Sequence, residues 1–188
     1  MDANKLRFGH KVLIDGQPYI VLMATLRQQP RLASKMITKM KNLLTGSIIE
    51  RTFTGGDKID EADITTTPAK YLYNDGSSFY FMDNETFEQF EFTADKIGDS
   101  KDFLIEDTDV YVMRFNGNPV DIDLPPTVTM EVVETEPGVR GDTAQGGSKP
   151  AKLATGLMVN VPLFINEGDK IVINTETREY RERITRSF

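Results

Sequence analysis

The sequence predicts an all-β protein built from small barrels, on three observations. Apolar residues come in short runs rather than long ones. Turn residues separate those runs at regular intervals, and helical periodicity is weak throughout. Many short strands with evenly spaced turns are the signature of small closed or half-closed sheets.

The elements follow in order. "KVLIDGQPYIVLM" places Asp15-Gly16 between two apolar runs, a strong local hairpin signal. "MITKMKNLLTGSIIERTF" pairs two further runs around Thr45-Gly46, and "YLYNDGSSFYFMD" repeats the device at Asn74-Asp75-Gly76. One short helical element is expected within "ADKIGDSKDFLIED". In "PVDIDLPP", Val120, Ile122 and Leu124 alternate with Asp121 and Asp123, which predicts a half-buried strand with both carboxylates on its wet face. "LMVNVPLFI" and "DKIVINT" flank a turn at Asn166-Glu167-Gly168.

Punctuation at Thr65 to Pro68 and at Pro125-Pro126 divides the 188 residues into units 1–64, 65–127 and 128–188. A unit of that size buries only about 60% of its unfolded surface, so packing between at least two of them is expected.

Charge is distributed unevenly over these units. The first carries ten Lys/Arg against seven Asp/Glu, the second four against thirteen, and the third eight against nine. Residues 1–51 alone hold nine basic against three acidic side chains. The basic end suits nucleic-acid phosphates and the acidic middle repels them. With no cysteine, neither a disulfide nor a thiolate zinc site can form. No apolar window is long enough for a membrane helix, and "MDANKLRFGHKV" lacks the apolar run of a secretory signal, so a soluble cytoplasmic protein is expected.

Catalytic signals are weak. His10 stands alone beside a glycine with no nucleophile near it and reads as structural or exposed. "GDTAQGGS" lacks the Lys-Ser/Thr ending of a phosphate loop. The expectation is a binding protein rather than an enzyme, with no metal and no cofactor. The most distinctive stretch is "LRQQPRLASK", where Arg27, Arg31 and Lys35 recur every four residues with no carboxylate between them.

"KMKNLLTGSIIERTF", "FMDNETFEQFEF", "ETEPGVRGDTAQGGSKPAKLATGL" and "VNVPLFINEGDKIVINT" together resemble bacterial translation elongation factor P, in the family's order and over almost the whole chain. The resemblance implies an SH3-like (KOW-like) barrel followed by two OB-folds, in an L-shaped, tRNA-like arrangement. It also implies a cytoplasmic monomer with no membrane contact. Its partners would be both ribosomal subunits and the peptidyl-tRNA, between the peptidyl and exit tRNA sites, where the factor relieves stalling at consecutive prolines. In the family, the tip residue of the first barrel lies eight positions before a Lys-x-Lys-Asn motif. Here the motif is Lys39-Met40-Lys41-Asn42 and the tip is Arg31, within Gln29, Pro30, Leu32 and Ala33.

Most relatives carry a modified lysine at the tip. An arginine-tip subgroup carries rhamnose on the arginine, added by a tip-modifying enzyme, and Arg31 is nearer that group. Both types use glycine beside the tip, whereas this chain has Pro30 and Leu32, which predicts a stiffer loop. Lys35, Lys39 and Lys41 are the expected RNA contacts of the first barrel. Gly141, Asp142 and Thr143 match the loop that approaches the exit-site mRNA codon, and Tyr180 and Arg183 match positions tied to the small subunit. Around these two, Asn174, Glu176 and Arg178 replace the family's usual Asp, Arg and Gly. Two other readings stay open: a diverged paralogue of the same fold, as the Pro-Arg-Leu tip allows, and an OB-fold oligonucleotide-binding module. The module needs exposed aromatics on the second or third barrel, whereas Tyr71, Phe79 and Phe81 alternate like core.

Overall fold

The computed structural model of the chain describes residues 1–138 and 147–184. The described residues form three five-stranded antiparallel sheets with very little helix, as the all-β expectation requires. By Cα proximity the chain divides into two compact units, Met1–Thr67 with Val112–Asp121, and Pro68–Tyr111 with the chain from Ile122 onward.

The first unit is built on a sheet of order β4-β3-β2-β1-β5: β1 (Lys11–Ile14), β2 (Gln17–Arg27), β3 (Lys35–Asn42), β4 (Ile48–Thr54) and β5 (Asp60–Glu61). Asp15 and Gly16 both take positive φ, 52° and 77°, so β1 and β2 join through the tight two-residue turn that Asp-Gly favours. Its core gathers Leu6, Val12, Val21, Met36, Met40, Phe53 and Ile59. The inward face of β3 alternates strictly, with Met36, Thr38, Met40 and Asn42 buried. Its two polar members are satisfied: the Thr38 hydroxyl donates to the Arg51 carbonyl at 2.6 Å, and the Asn42 amide donates to Gln17 at 2.6 Å. Asn42 Oδ1 also accepts from Leu44 N and Thr45 N, shaping the β3–β4 turn.

Asp121 departs from expectation. It belongs to β10 (Asn118–Asp123) and is buried, while Asp123 is exposed as alternation requires. Within the first unit, Lys41 Nζ lies 3.3 Å from its carboxylate, which is how a buried charge at this position is satisfied. Period two alone assigns a side chain to a face; it cannot see a cation arriving from another strand.

The middle sheet has the order β10-β9-β6-β7-β8, with β6 (Ile64–Asn74), β7 (Ser78–Asp83), β8 (Gln89–Thr93) and β9 (Asp109–Phe115). The punctuation at Thr65–Pro68 does not interrupt the β structure, because β6 runs through it. In the second unit Tyr71, Phe79 and Phe81 are buried, with Phe81 against Tyr71 and Phe90 at 5.6 Å each. The expected helical stretch is a single turn, α1 (Ala94–Ile97), capped by the Thr93 hydroxyl and continued by a 3₁₀ segment, Gly98–Phe103.

The third sheet, β13-β12-β11-β14-β15, comprises β11 (Thr127–Thr135), β12 (Ser148–Leu153), β13 (Met158–Pro162), β14 (Lys170–Asn174) and β15 (Tyr180–Arg183). Its core of Met130, Val132, Leu153, Val161, Ile165, Ile171 and Ile173 takes in Phe103 from earlier in the chain, with Ile105 and Leu124 packed against it. Thr155 donates to the Asp102 carbonyl at 2.6 Å, and Arg178 donates to the Asp102 carboxylate while its guanidinium stands 5.0 Å from the centre of the Phe103 ring. The 3₁₀ segment thus supplies an aromatic plug to the third core.

Arg178 has φ of 64°, left-handed backbone that glycine adopts without strain. The chain accepts that strain and uses the side chain as a strut. Arg178→Ala should therefore lower stability by about 1–2 kcal/mol, losing a partly exposed ion pair and a cation–π contact. Arg178→Gly should lose about 1 kcal/mol less, since it relieves the backbone. Denaturant midpoints of the two variants check this; equal losses would remove the strain argument.

Candidate nucleic-acid interface

β2 and β3 pair from Tyr19↔Asn42 to Arg27↔Lys35, with a bulge between Val21 and Met23. The longest hairpin of the first sheet therefore ends in the basic pair Arg27 and Lys35, with residues 28–34 closing the loop beyond it. Every residue from Gln28 to Ala33 is exposed. Leu32 N donates to the Gln29 carbonyl at 3.2 Å, closing a four-residue turn. Its second and third residues are Pro30 and Arg31. Proline holds φ near −65°, and Arg31 has φ of 64°. That combination is a type II turn, whose third position normally takes glycine or asparagine. An arginine there costs about 1 kcal/mol in backbone strain, and it leaves the guanidinium exposed at the turn that caps the loop. Pro30 brings to this turn the fixed φ on which the expected stiffening rests.

The three lysines of β3 point outward but differ in availability. Lys35 and Lys39 are exposed. Glu50 sits opposite Lys39 in the β3–β4 register. Lys41 is half-buried and engaged by Asp121. The Lys-x-Lys-Asn motif thus divides its work: Lys39 faces solvent, Lys41 holds a buried carboxylate, and Asn42 builds a turn. No sequence signal marked the Lys41–Asp121 pair, since the two residues lie 80 positions apart. His10 Nδ1 accepts from Arg7 N at 3.1 Å in the turn before β1.

Tyr180 and Arg183 lie on the last strand of the third sheet. Tyr180 packs partly against that sheet's core, and burial pushes its phenol up. Arg183 stands 5.0 Å from the centre of the exposed Phe164 ring and 3.8 Å from Asp169. Tyr180, Met158, Asn160 and Phe164 border an open groove of about 780 Å³. Gly141, Asp142 and Thr143 lie outside the described residues.

The oligonucleotide-module reading called for exposed stacking aromatics. One pair exists on the middle sheet: Tyr73, exposed, stacks on Tyr80 with ring centres 4.6 Å apart. Its surroundings oppose RNA. Tyr80 donates to Asp75, whose carboxyl is held down to about 2 by the backbone N–H groups of Ser78 and Ser77, while the phenol is pushed up to about 12 by that carboxylate. A permanent negative charge beside the rings repels phosphate. Among the described residues no group of His, Cys, Asp or Glu is placed to hold a metal ion, and no helix is long and apolar enough to cross a membrane.

Comparison with known families matches the chain in three consecutive parts. The elongation factor P KOW-like domain matches residues 2–59, the elongation factor P OB domain residues 64–122, and the elongation factor P C-terminal domain residues 128–183. Three consecutive elongation factor P domains, KOW-like, OB and C-terminal, define a multidomain translation factor. Elongation factor P of Thermosipho africanus is 44% identical over 97% of this chain and 99% of its own, and that of Dictyoglomus thermophilum is 46% identical with the same coverage. The chain belongs to the elongation factor P family and is accordingly a translation elongation factor. A solved structure, eukaryotic translation initiation factor 5A from Methanococcus jannaschii, shares the fold with a TM-score of 0.51 at 18% identity. It covers 66% of this chain and 91% of its own.

The lysines differ in a measurable way. Lys39→Gln should reduce the salt dependence of RNA binding by about 0.7–0.9 in log–log slope, the release expected for one phosphate contact. Lys41→Gln should leave that slope unchanged and lower stability by about 1–3 kcal/mol, because Asp121 loses its cation while still buried. Salt titrations of binding and denaturant unfolding of the two variants separate these outcomes.

Proposed function

We propose that this factor binds the ribosome between the peptidyl and exit tRNA sites and promotes peptide-bond formation at consecutive prolines, with Arg31 beside the peptidyl-tRNA end. The observation that carries this reading is the Pro30–Arg31 turn: an exposed arginine held in left-handed backbone at the end of the β2–β3 hairpin. Strain kept at an exposed tip has no folding rationale and is expected where a side chain must be presented.

The reacting bonds belong to the ribosome, and the factor is a binding and positioning protein rather than an enzyme. A guanidinium stays charged, makes forked contacts to phosphate or ribose oxygens and stacks on bases. Ordering a flexible peptidyl-tRNA end lowers the entropic part of the barrier. Arg31 is the proposed site of rhamnose attachment by a tip-modifying enzyme, which intact-mass measurement of native protein tests directly. Asp142 and Thr143 supply hydrogen bonds to the exit-site codon, and Tyr180 and Arg183 serve the small subunit. The factor acts as a cytoplasmic monomer.

Single-turnover synthesis of a Pro-Pro-Pro peptide with saturating factor tests the tip. Arg31→Gly keeps the turn, because glycine prefers its backbone, and removes only the side chain. It should fold at least as well as the parent, bind ribosomes with modestly weaker affinity and lose about tenfold or more of the stimulated rate. Arg31→Lys should rescue partly, keeping charge without the planar fork. Full stimulation by Arg31→Gly would reject the tip assignment and favour a diverged paralogue with another ribosomal task.

A further inference from the structure

The tip loop leaves the barrel through Ser34, and Ser34 is gripped from two sides. Its carbonyl accepts from Gly55 N at 2.7 Å, and its hydroxyl oxygen accepts from Asn4 Nδ2 at 2.9 Å. Neither partner belongs to the hairpin. Gly55 follows β4, in a turn where Asp57 N donates to the Thr54 carbonyl and Thr54 N donates to the Asp57 carboxylate at 2.9 Å. Asn4 lies in an N-terminal 3₁₀ turn, Ala3–Lys5, which is fastened to the same region: Ala3 N donates to the Asp57 carbonyl at 3.0 Å and the Met1 ammonium to the Ile59 carbonyl at 2.7 Å.

The fit at this point is close. A Cβ on Gly55 would stand 2.6 Å from Ser34 Oγ, with no positive φ there, so a larger residue must displace the hydroxyl that Asn4 holds. Asn4 spends one arm of its amide on Ser34 while its Oδ1 stays buried with no partner among the described residues. An unsatisfied buried oxygen is uncommon, and here it accompanies a donor aimed at the root of the tip. The opposite leg, Arg27 to Gln29, is joined to the turn through the Gln29 carbonyl.

We propose that Asn4, Ser34 and Gly55 form a clamp that sets the direction of the tip turn, making them positioning residues for Arg31. The inference rests on the function proposed above for the tip. Ser34 is three residues from Arg31 in an otherwise exposed loop, so a small rotation at the clamp is amplified at the guanidinium. A displacement of about 1 Å at a positioning group is enough to slow a reaction up to about a hundredfold. The clamp therefore acts on rate while leaving affinity to the barrel surfaces.

The test uses the full chain, whose lack of cysteine allows clean labelling. Spin labels at Leu32→Cys, highly exposed, and Asp60→Cys, exposed on β5, report the spread of tip positions. Unlabelled counterparts without the cysteines are assayed for Pro-Pro-Pro synthesis. Gly55→Ala, which drives a methyl into Ser34 Oγ, should broaden the label distance distribution about twofold. It should slow the saturated rate about tenfold, with half-saturation unchanged within about twofold. Ser34→Ala should do the same more weakly, by about threefold in rate, because the backbone bond to Gly55 remains.

The double variant Ser34→Ala/Gly55→Ala has no oxygen to collide with and should match Ser34→Ala rather than sum the two losses, a non-additivity that contact requires. A distribution as narrow as the parent's in Ser34→Ala and Gly55→Ala overturns the clamp, whatever the ribosome assay gives. A broad distribution with undiminished rate, while Arg31→Gly is inactive, overturns the positioning role and leaves the tip reading intact. Undiminished rates in both Gly55→Ala and Arg31→Gly overturn the tip reading and the positioning role together.

Discussion

Eight residue pairs of the β2–β3 ladder, Tyr19↔Asn42 to Arg27↔Lys35, connect the first core to the exposed tip. Because successive side chains of a strand face opposite ways, one register serves two purposes. Met36, Thr38 and Met40 turn inward, while Lys35 and Lys39 turn out. A slip of one residue would exchange these sets, burying lysines and exposing methionines. The register that closes the core is thus the register that places the basic residues and the loop beyond them.

Small sheets have little interior, and this chain compensates with contacts that bring unlike residues together. Phe103, from a 3₁₀ segment, completes the core of the third sheet, and the Arg178 guanidinium lies over its ring. Lys41 neutralises the buried Asp121 within the first unit. In each case a charged side chain stabilises apolar or buried surroundings through a defined partner, which is the condition under which such burial is tolerated.

Arg31 and Arg178 present one device in two places. Both are arginines at φ of 64°, where glycine is easier. At Arg178 the strain is matched by an ion pair and a ring contact inside the protein. At Arg31, in an exposed turn, no partner of that kind is present among the described residues, and the side chain can meet something outside the chain. The same backbone strain supports a strut in one place and a contact residue in the other, and the distinction lies wholly in what surrounds the guanidinium.

The sequence by itself determined the all-β class and the positions of the turns. Asp15-Gly16, Thr45-Gly46, Asn74-Asp75-Gly76 and Asn166-Glu167-Gly168 bound strands in the structure because positive-φ turn chemistry and period-two burial are local effects. The one helical turn was legible for the same reason, and so was the concentration of basic charge before Arg51. Tertiary structure alone decided which of those charges face solvent. Lys39 and Lys41 are indistinguishable in a pattern of alternation, and only the approach of Asp121 from a distant strand separates them. The strain at Arg31, the strut at Arg178 and the grip of Asn4 and Gly55 on Ser34 were equally invisible, since each depends on residues brought together across tens of positions or on a backbone angle that composition does not encode. Local propensity writes the strands; burial and partnership, which are properties of neighbours in space, assign each polar residue its task.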